Sequence, residues 1–154
     1  MDYLTVKWLH VLASTVLFGT GIGSAFYLLL ASLTGEPRPV AVVARIVVIA
    51  DWLFTASTAI AQPLTGWWLV RQAGYPLEAG WLWWSIVLYA LAIACWLPVV
   101  LLQIRMRDLA QRAVHEGTAL PDKYWAYLRI WVALGIPAFF FFVAVFYLMV
   151  AKPV

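Results

Sequence analysis

The sequence predicts an all-α fold, a four-helix transmembrane bundle, and three observations carry that reading. First, 66% of the residues are hydrophobic and only 11% charged, with mean hydropathy +0.92, whereas soluble domains carry about 25% charged residues. Second, residues 4–33, 40–70, 81–104 and 124–150 are each long enough to cross a bilayer, which takes about 20 mostly apolar residues. Third, these runs are apolar throughout. A membrane β-barrel, the other way to satisfy a backbone in lipid, would alternate apolar with polar. One integral membrane domain covering residues 1–154 follows.

The first stretch is too long for the apolar core of a secretory signal. Its Lys7 comes late and no small-x-small cleavage site follows it, so it reads as an uncleaved helix. Thr34-Gly-Glu-Pro-Arg-Pro39 is a short, proline-punctuated turn that makes the first two helices antiparallel neighbours. The second helix runs to a loop with two glycines and a proline, Arg71 to Gly80. The third continues through Arg107-Asp-Leu-Ala-Gln-Arg-Ala-Val-His115 and ends at Gly117. Pro98 and Pro137 fall inside the third and fourth helices. Each frees a carbonyl and allows a kink, which serves packing or opens a cavity.

Charge sets the expected orientation. Arg38, Arg45, Arg105, Arg107, Arg112, Lys123 and Arg129 flank the first and third loops, whereas Lys7, Arg71 and Lys152 lie at the opposite boundary. By the positive-inside rule loops one and three face the cytoplasm and both termini lie outside. The net charge of +3 is thus a topology signal, helped by anionic lipid, and not a nucleic-acid footprint. Tryptophans and tyrosines near the ends of the stretches, such as Trp8, Trp67, Trp81 and Trp125, make an aromatic belt. The single Cys95 excludes an internal disulfide and any multi-cysteine metal centre, and reads as a small packing residue.

Two ionisable groups inside the spans mark where to look, because such groups are costly there unless used. His10 is the only histidine in any apolar stretch, and Asp51 the only carboxylate well inside one. His10, Ser14, Leu17, Gly21 and Ser24 share one narrow face of the first helix. Gly19 and Gly23 make a small-xxx-small pair beside it, through which another backbone or a flat cofactor can approach. The Gly19-Thr-Gly-Ile-Gly23 run follows no strand, so it is not a nucleotide fingerprint. In the second helix Asp51, Thr55, Thr58, Gln62 and Thr65 form a polar stripe that must face the bundle interior. It is either a hydrogen-bonded seam between helices or the wall of a polar cavity or proton path.

For His10 three readings stand: a histidine satisfied by a neighbouring hydroxyl or by Asp51, a proton relay, or an axial ligand to haem iron. Zinc or copper would need further nitrogen or sulfur ligands, and the chain offers only His115 and Cys95. A single histidine suits haem better than a bare ion. Haem propionates would then find Lys7 and Arg71 at the same boundary.

The Lys7-Trp-Leu-His10 opening, the Gly80-Trp-Leu entry to the third helix and the Val150-Ala-Lys-Pro153 end resemble the bacterial four-helix membrane protoporphyrinogen oxidase, the HemJ type. Gln62-Pro-Leu-Thr-Gly66 and the run from Trp96 to Arg105 more closely resemble an uncharacterised family of small predicted integral membrane proteins. The oxidase resemblance implies haem b on His10 and a place in the bacterial inner (plasma) membrane. Where that family has a histidine and an activity-linked lysine in the third helix, this chain has Trp83 and Ser85, and the histidine expected late in the first helix is missing. The resemblance therefore implies haem binding without the oxidase reaction. The expected protein binds haem b through His10, with Lys7, Ser14, Gly21 and Arg71 around the cofactor, and handles electrons with quinone or a membrane partner protein. Its rival is a non-catalytic membrane subunit or assembly factor without cofactor. Beyond the lipid bilayer, a homo-oligomer is open and nucleic acid is not expected.

Overall fold

The computed structural model describes residues 2–153, and among these every regular element is helical. Helix α1 spans Tyr3–Leu33, and the Asp2 carboxylate accepts the Thr5 amide at its start. The turn to α2 is only three residues long and uses Gly35 in the left-handed region. Helix α2 spans Pro37–Ala50, with proline in its first turn, where a missing N–H costs nothing. The second span then passes through a π-helical turn, Asp51–Ala56, into α3, Ser57–Ala73. Helix α4 spans Gly80–Glu116 and α5 spans Asp122–Ala151. Gly74 and Gly117 close α3 and α4 with positive φ, the conformation in which glycine has no Cβ penalty. Four helices among the described residues, counting Pro37–Ala73 as one, are long and apolar enough to cross a membrane.

Helix α5 lies along α4, and the second span is shared between two partners. Its first half, α2, packs mainly on α4 and also on α1, and its second half, α3, packs on α1. Helix α1 reaches α5 chiefly through Phe18, whose ring meets Phe139, Phe142 and Phe146 with centroids 5.1–6.4 Å apart.

The apolar core gathers at one end of this bundle, the basic end that carries loops one and three. Leu28 of α1, Val40 and Ala44 of α2, Met106 and Ala110 of α4 and Tyr124 of α5 are completely enclosed there. The Ser32 hydroxyl donates to the Leu28 carbonyl at 2.7 Å, so its contact with Tyr124, at 2.6 Å, is filled by the tyrosine O–H. Toward the opposite end, where both termini lie, the buried positions become sparse and half of them are polar: Asp51, Thr55, Gln62 and Ser85 stand beside Val6, Leu17, Leu82 and Ala92. Most of α5 shows its side chains to lipid.

The π turn was not foreseen from the sequence. It widens the backbone, and the hydroxyls of the next two residues compensate. Ser57 donates to the Leu53 and Phe54 carbonyls at 2.6 and 3.1 Å, and Thr58 to those of Phe54 and Thr55 at 2.5 and 3.2 Å. In lipid no water would serve those acceptors, so a serine–threonine pair lets a widened turn persist.

Candidate functional site at His10 and the polar stripe

The termini end holds a hydrogen-bonded cluster between α1 and α3. His10 Nδ1 lies 2.7 Å from Thr65 Oγ1, and the Gln62 side-chain amide donates to the His10 main-chain carbonyl at 2.8 Å. These residues stand 55 and 52 positions apart in the chain, so the tertiary fold alone brings them together. Gly66 makes room for the ring, since a Cβ there would meet His10 Cε1 at 3.2 Å.

The Thr65 hydroxyl stands between His10 and its own helix. Thr65 Oγ1 also lies 2.7 Å from the Ala61 carbonyl, which can only accept. A threonine hydroxyl has one proton for these two contacts. Given to the Ala61 carbonyl, that proton leaves the ring to donate from Nδ1 and Nε2 with the lone pair; given to His10 Nδ1, it leaves the ring proton on Nε2. In the first arrangement the hydrogen bond at the far nitrogen prepares a histidine to coordinate iron.

A second interhelical bond depends on proline. Pro63 lies inside α3 and has no N–H to offer the carbonyl four residues earlier, that of Ala59. The Tyr89 hydroxyl of α4 donates to that carbonyl at 2.6 Å. The sequence carried half of this signal: an intrahelical proline announces a carbonyl in want of a donor, but not which helix supplies it.

The remaining residues of the site distribute as follows. Asp51, Thr55 and Gln62 are buried, while Thr58 and Thr65 are half-buried. Thr55 donates to Asp51 Oδ1 at 3.0 Å. Ser14 is half-buried and bonds back to the Val11 carbonyl at 2.7 Å, so its hydroxyl is not directed at His10. Gly21 is half-buried and has nothing within 4 Å of where a Cβ would stand. Lys7 and Arg71 are exposed at the termini end, with the Arg71 guanidinium 4.8 Å from the Trp67 ring centre. Sequence reasoning missed Tyr89 and Gln103. Gln103 is buried in α4, and its signal was a lone amide in an otherwise apolar run. Among the described residues no three His, Cys, Asp or Glu side chains converge, so a bare metal ion lacks a ligand set.

Residues 4–153 match the family described as predicted integral membrane protein (DUF2269), and the chain belongs to that family. No curated protein and no solved structure matches it.

Proposed function

We propose that this member of the family binds haem b in the membrane through His10, and exchanges electrons with quinone or a partner protein. The observation that carries the reading is the Thr65 contact at Nδ1, which orients the ring and, with the hydroxyl proton on the Ala61 carbonyl, leaves Nε2 free to ligate. Gly66 and Gln62 add to it by seating the ring and the His10 backbone against α3. Haem b, when bound, supplies a one-electron couple. The chain's own part is to orient the imidazole and to offer Lys7 and Arg71, at the same end, to the propionates. Trp83 and Ser85, where the oxidase family has histidine and lysine, leave electron handling as the role rather than protoporphyrinogen oxidation.

A second reading has an observation of its own. The same three contacts clamp α1 to α3, and a clamp needs no cofactor. That reading is a non-catalytic membrane subunit or assembly factor.

The visible spectrum of the purified protein decides between them. The haem reading expects a Soret band that His10→Ala abolishes while the protein stays folded. Gly66→Ala should weaken it severalfold, because the added methyl displaces the ring. Folded wild-type protein that is colourless and takes up no added hemin would end the haem reading and leave the clamp.

A further inference from the structure

We propose that Asp51 is an intramembrane proton-binding site: its carboxyl group holds a proton and donates it to the side-chain carbonyl of Gln103. The site is separate from His10, since Asp51 lies 14 residues before Thr65 on the same span, about 20 Å along the helix axis. It stands whether or not haem is bound.

As the side chains stand, the acceptors around this carboxyl group outnumber the donors. Asp51 and Gln103 are each only 3% exposed. Asp51 Oδ1 accepts the Thr55 hydroxyl, but Asp51 Oδ2 is enclosed and has no partner. Gln103, on the α4 face that packs against the second span, comes within reach of the same carboxyl group, and its Oε1 is likewise enclosed and unpaired. Two acceptors that lack a donor are both satisfied by one proton. An O–H on Oδ2 bonded to Gln103 Oε1 also removes the charge from the middle of the membrane, where a carboxylate is costly.

One arrangement competes: a reversed Gln103 amide whose N–H donates to an ionised Asp51 pairs both side chains, but it leaves a carboxylate charge inside the membrane with no cation enclosed beside it. No lysine, arginine or histidine is among the buried residues. Arg45, one and a half turns earlier, is exposed. On α1, the buried Ser24 spends its hydroxyl proton on the Gly21 carbonyl at 3.2 Å. The indole N–H groups of Trp96 and Trp131 are buried but unpaired themselves, so neither is the missing donor. The location adds weight. Asp51 opens the π turn, and such turns recur at functional sites because they redirect a side chain within a helix.

Infrared spectroscopy of the protein reconstituted in lipid vesicles at neutral pH tests this directly. The expected result is a C=O band of a protonated carboxyl group that Asp51→Asn removes, and that Gln103→Leu moves to higher frequency by deleting its acceptor. Carboxylate bands in its place, insensitive to the bulk cation, would mean an ionised Asp51 held by the Gln103 amide or by water and would overturn the proposal. Carboxylate bands that change when sodium replaces a large organic cation would mean a metal-cation site, which overturns it equally. Should Asp51→Asn fail to fold, the side-chain carboxyl resonance of Asp51 in isotope-labelled wild-type protein decides the same question. A protonated shift at neutral pH supports the site, and an ionised one ends it.

Discussion

The two ends of this bundle are held together differently. At the basic end four helices close on an apolar core, and a single buried pair, Ser32 with Tyr124, supplies the polar contact between helices. At the termini end few side chains are enclosed, and the helices meet through hydrogen bonds: His10 with Thr65, Gln62 with the His10 carbonyl, and Tyr89 with the Ala59 carbonyl. In lipid no hydrophobic force draws one apolar helix to another, so packing and hydrogen bonds divide the work between them. Where packing is complete the chain gains rigidity. Where it is loose, polar contacts take over, and both intramembrane ionisable residues lie at or beyond the limit of the packed region. Apolar packing and polar contacts have been allotted to different depths.

The largest test of this division is a cavity at the packed end. Met106→Ala empties a site that is completely enclosed. Large-to-small core changes in soluble proteins cost about 2–5 kcal/mol. Here the unfolded reference is also in hydrocarbon, which removes most of the transfer part, so a loss of roughly 1–3 kcal/mol is expected. Reversible unfolding in mixed micelles would measure it. A loss no greater than that from the termini-end variant described next would mean that the two ends are not distinct.

Tyr89→Phe probes the loose end. The ring stays and the hydroxyl goes, leaving the Ala59 carbonyl without the donor that Pro63 withholds. Interhelical hydrogen bonds in membranes average about 0.6 kcal/mol, with a maximum near 1.7. A cost of about 1 kcal/mol is expected, toward the upper part of that range because the acceptor has no substitute. Restoring an N–H with Pro63→Ala in the same chain should recover most of it. A double variant as unstable as Tyr89→Phe alone would show that the bond does not depend on the proline.

The smallest effect lies beyond the membrane. Lys152 donates to the Tyr75 hydroxyl at 3.0 Å and sits over the Tyr75 and Trp81 rings, at 4.7 and 5.4 Å from their centres. That hydrogen bond first, and then the lysine charge, holds the Tyr75 phenol below its ordinary pKa. Because the folded pKa is the depressed one, the contact strengthens as pH rises past it. The increment is lost again as pH falls through it. Lys152→Gln should therefore raise the titration midpoint of Tyr75, read by ultraviolet difference absorbance, with stability at neutral pH nearly unchanged. An unmoved midpoint would detach the end of α5 from the loop before α4.

Much of the architecture was legible in the residues themselves. The four apolar runs, proline at the start of α2, and glycine past the ends of α3 and α4 are local signals. A helix in lipid forms from local bonds alone, with no water to compete for them. The burial of Asp51, Thr55 and Gln62 also follows from their spacing, since a polar stripe must turn away from hydrocarbon. Local pattern does not say which helix the stripe meets, or at what depth. Partners such as His10 and Thr65, Tyr89 and Ala59, or Asp51 and Gln103 are tens of residues apart. Their meeting depends on how each helix is rotated and how far it slides along its neighbour. In the bilayer those two quantities are set by small differences in packing between apolar surfaces that resemble one another. The chain's chemistry thus wrote the helices and the stripe, and only the tertiary structure decided that Thr65 would meet His10 Nδ1 and that Gln103 would come beside Asp51.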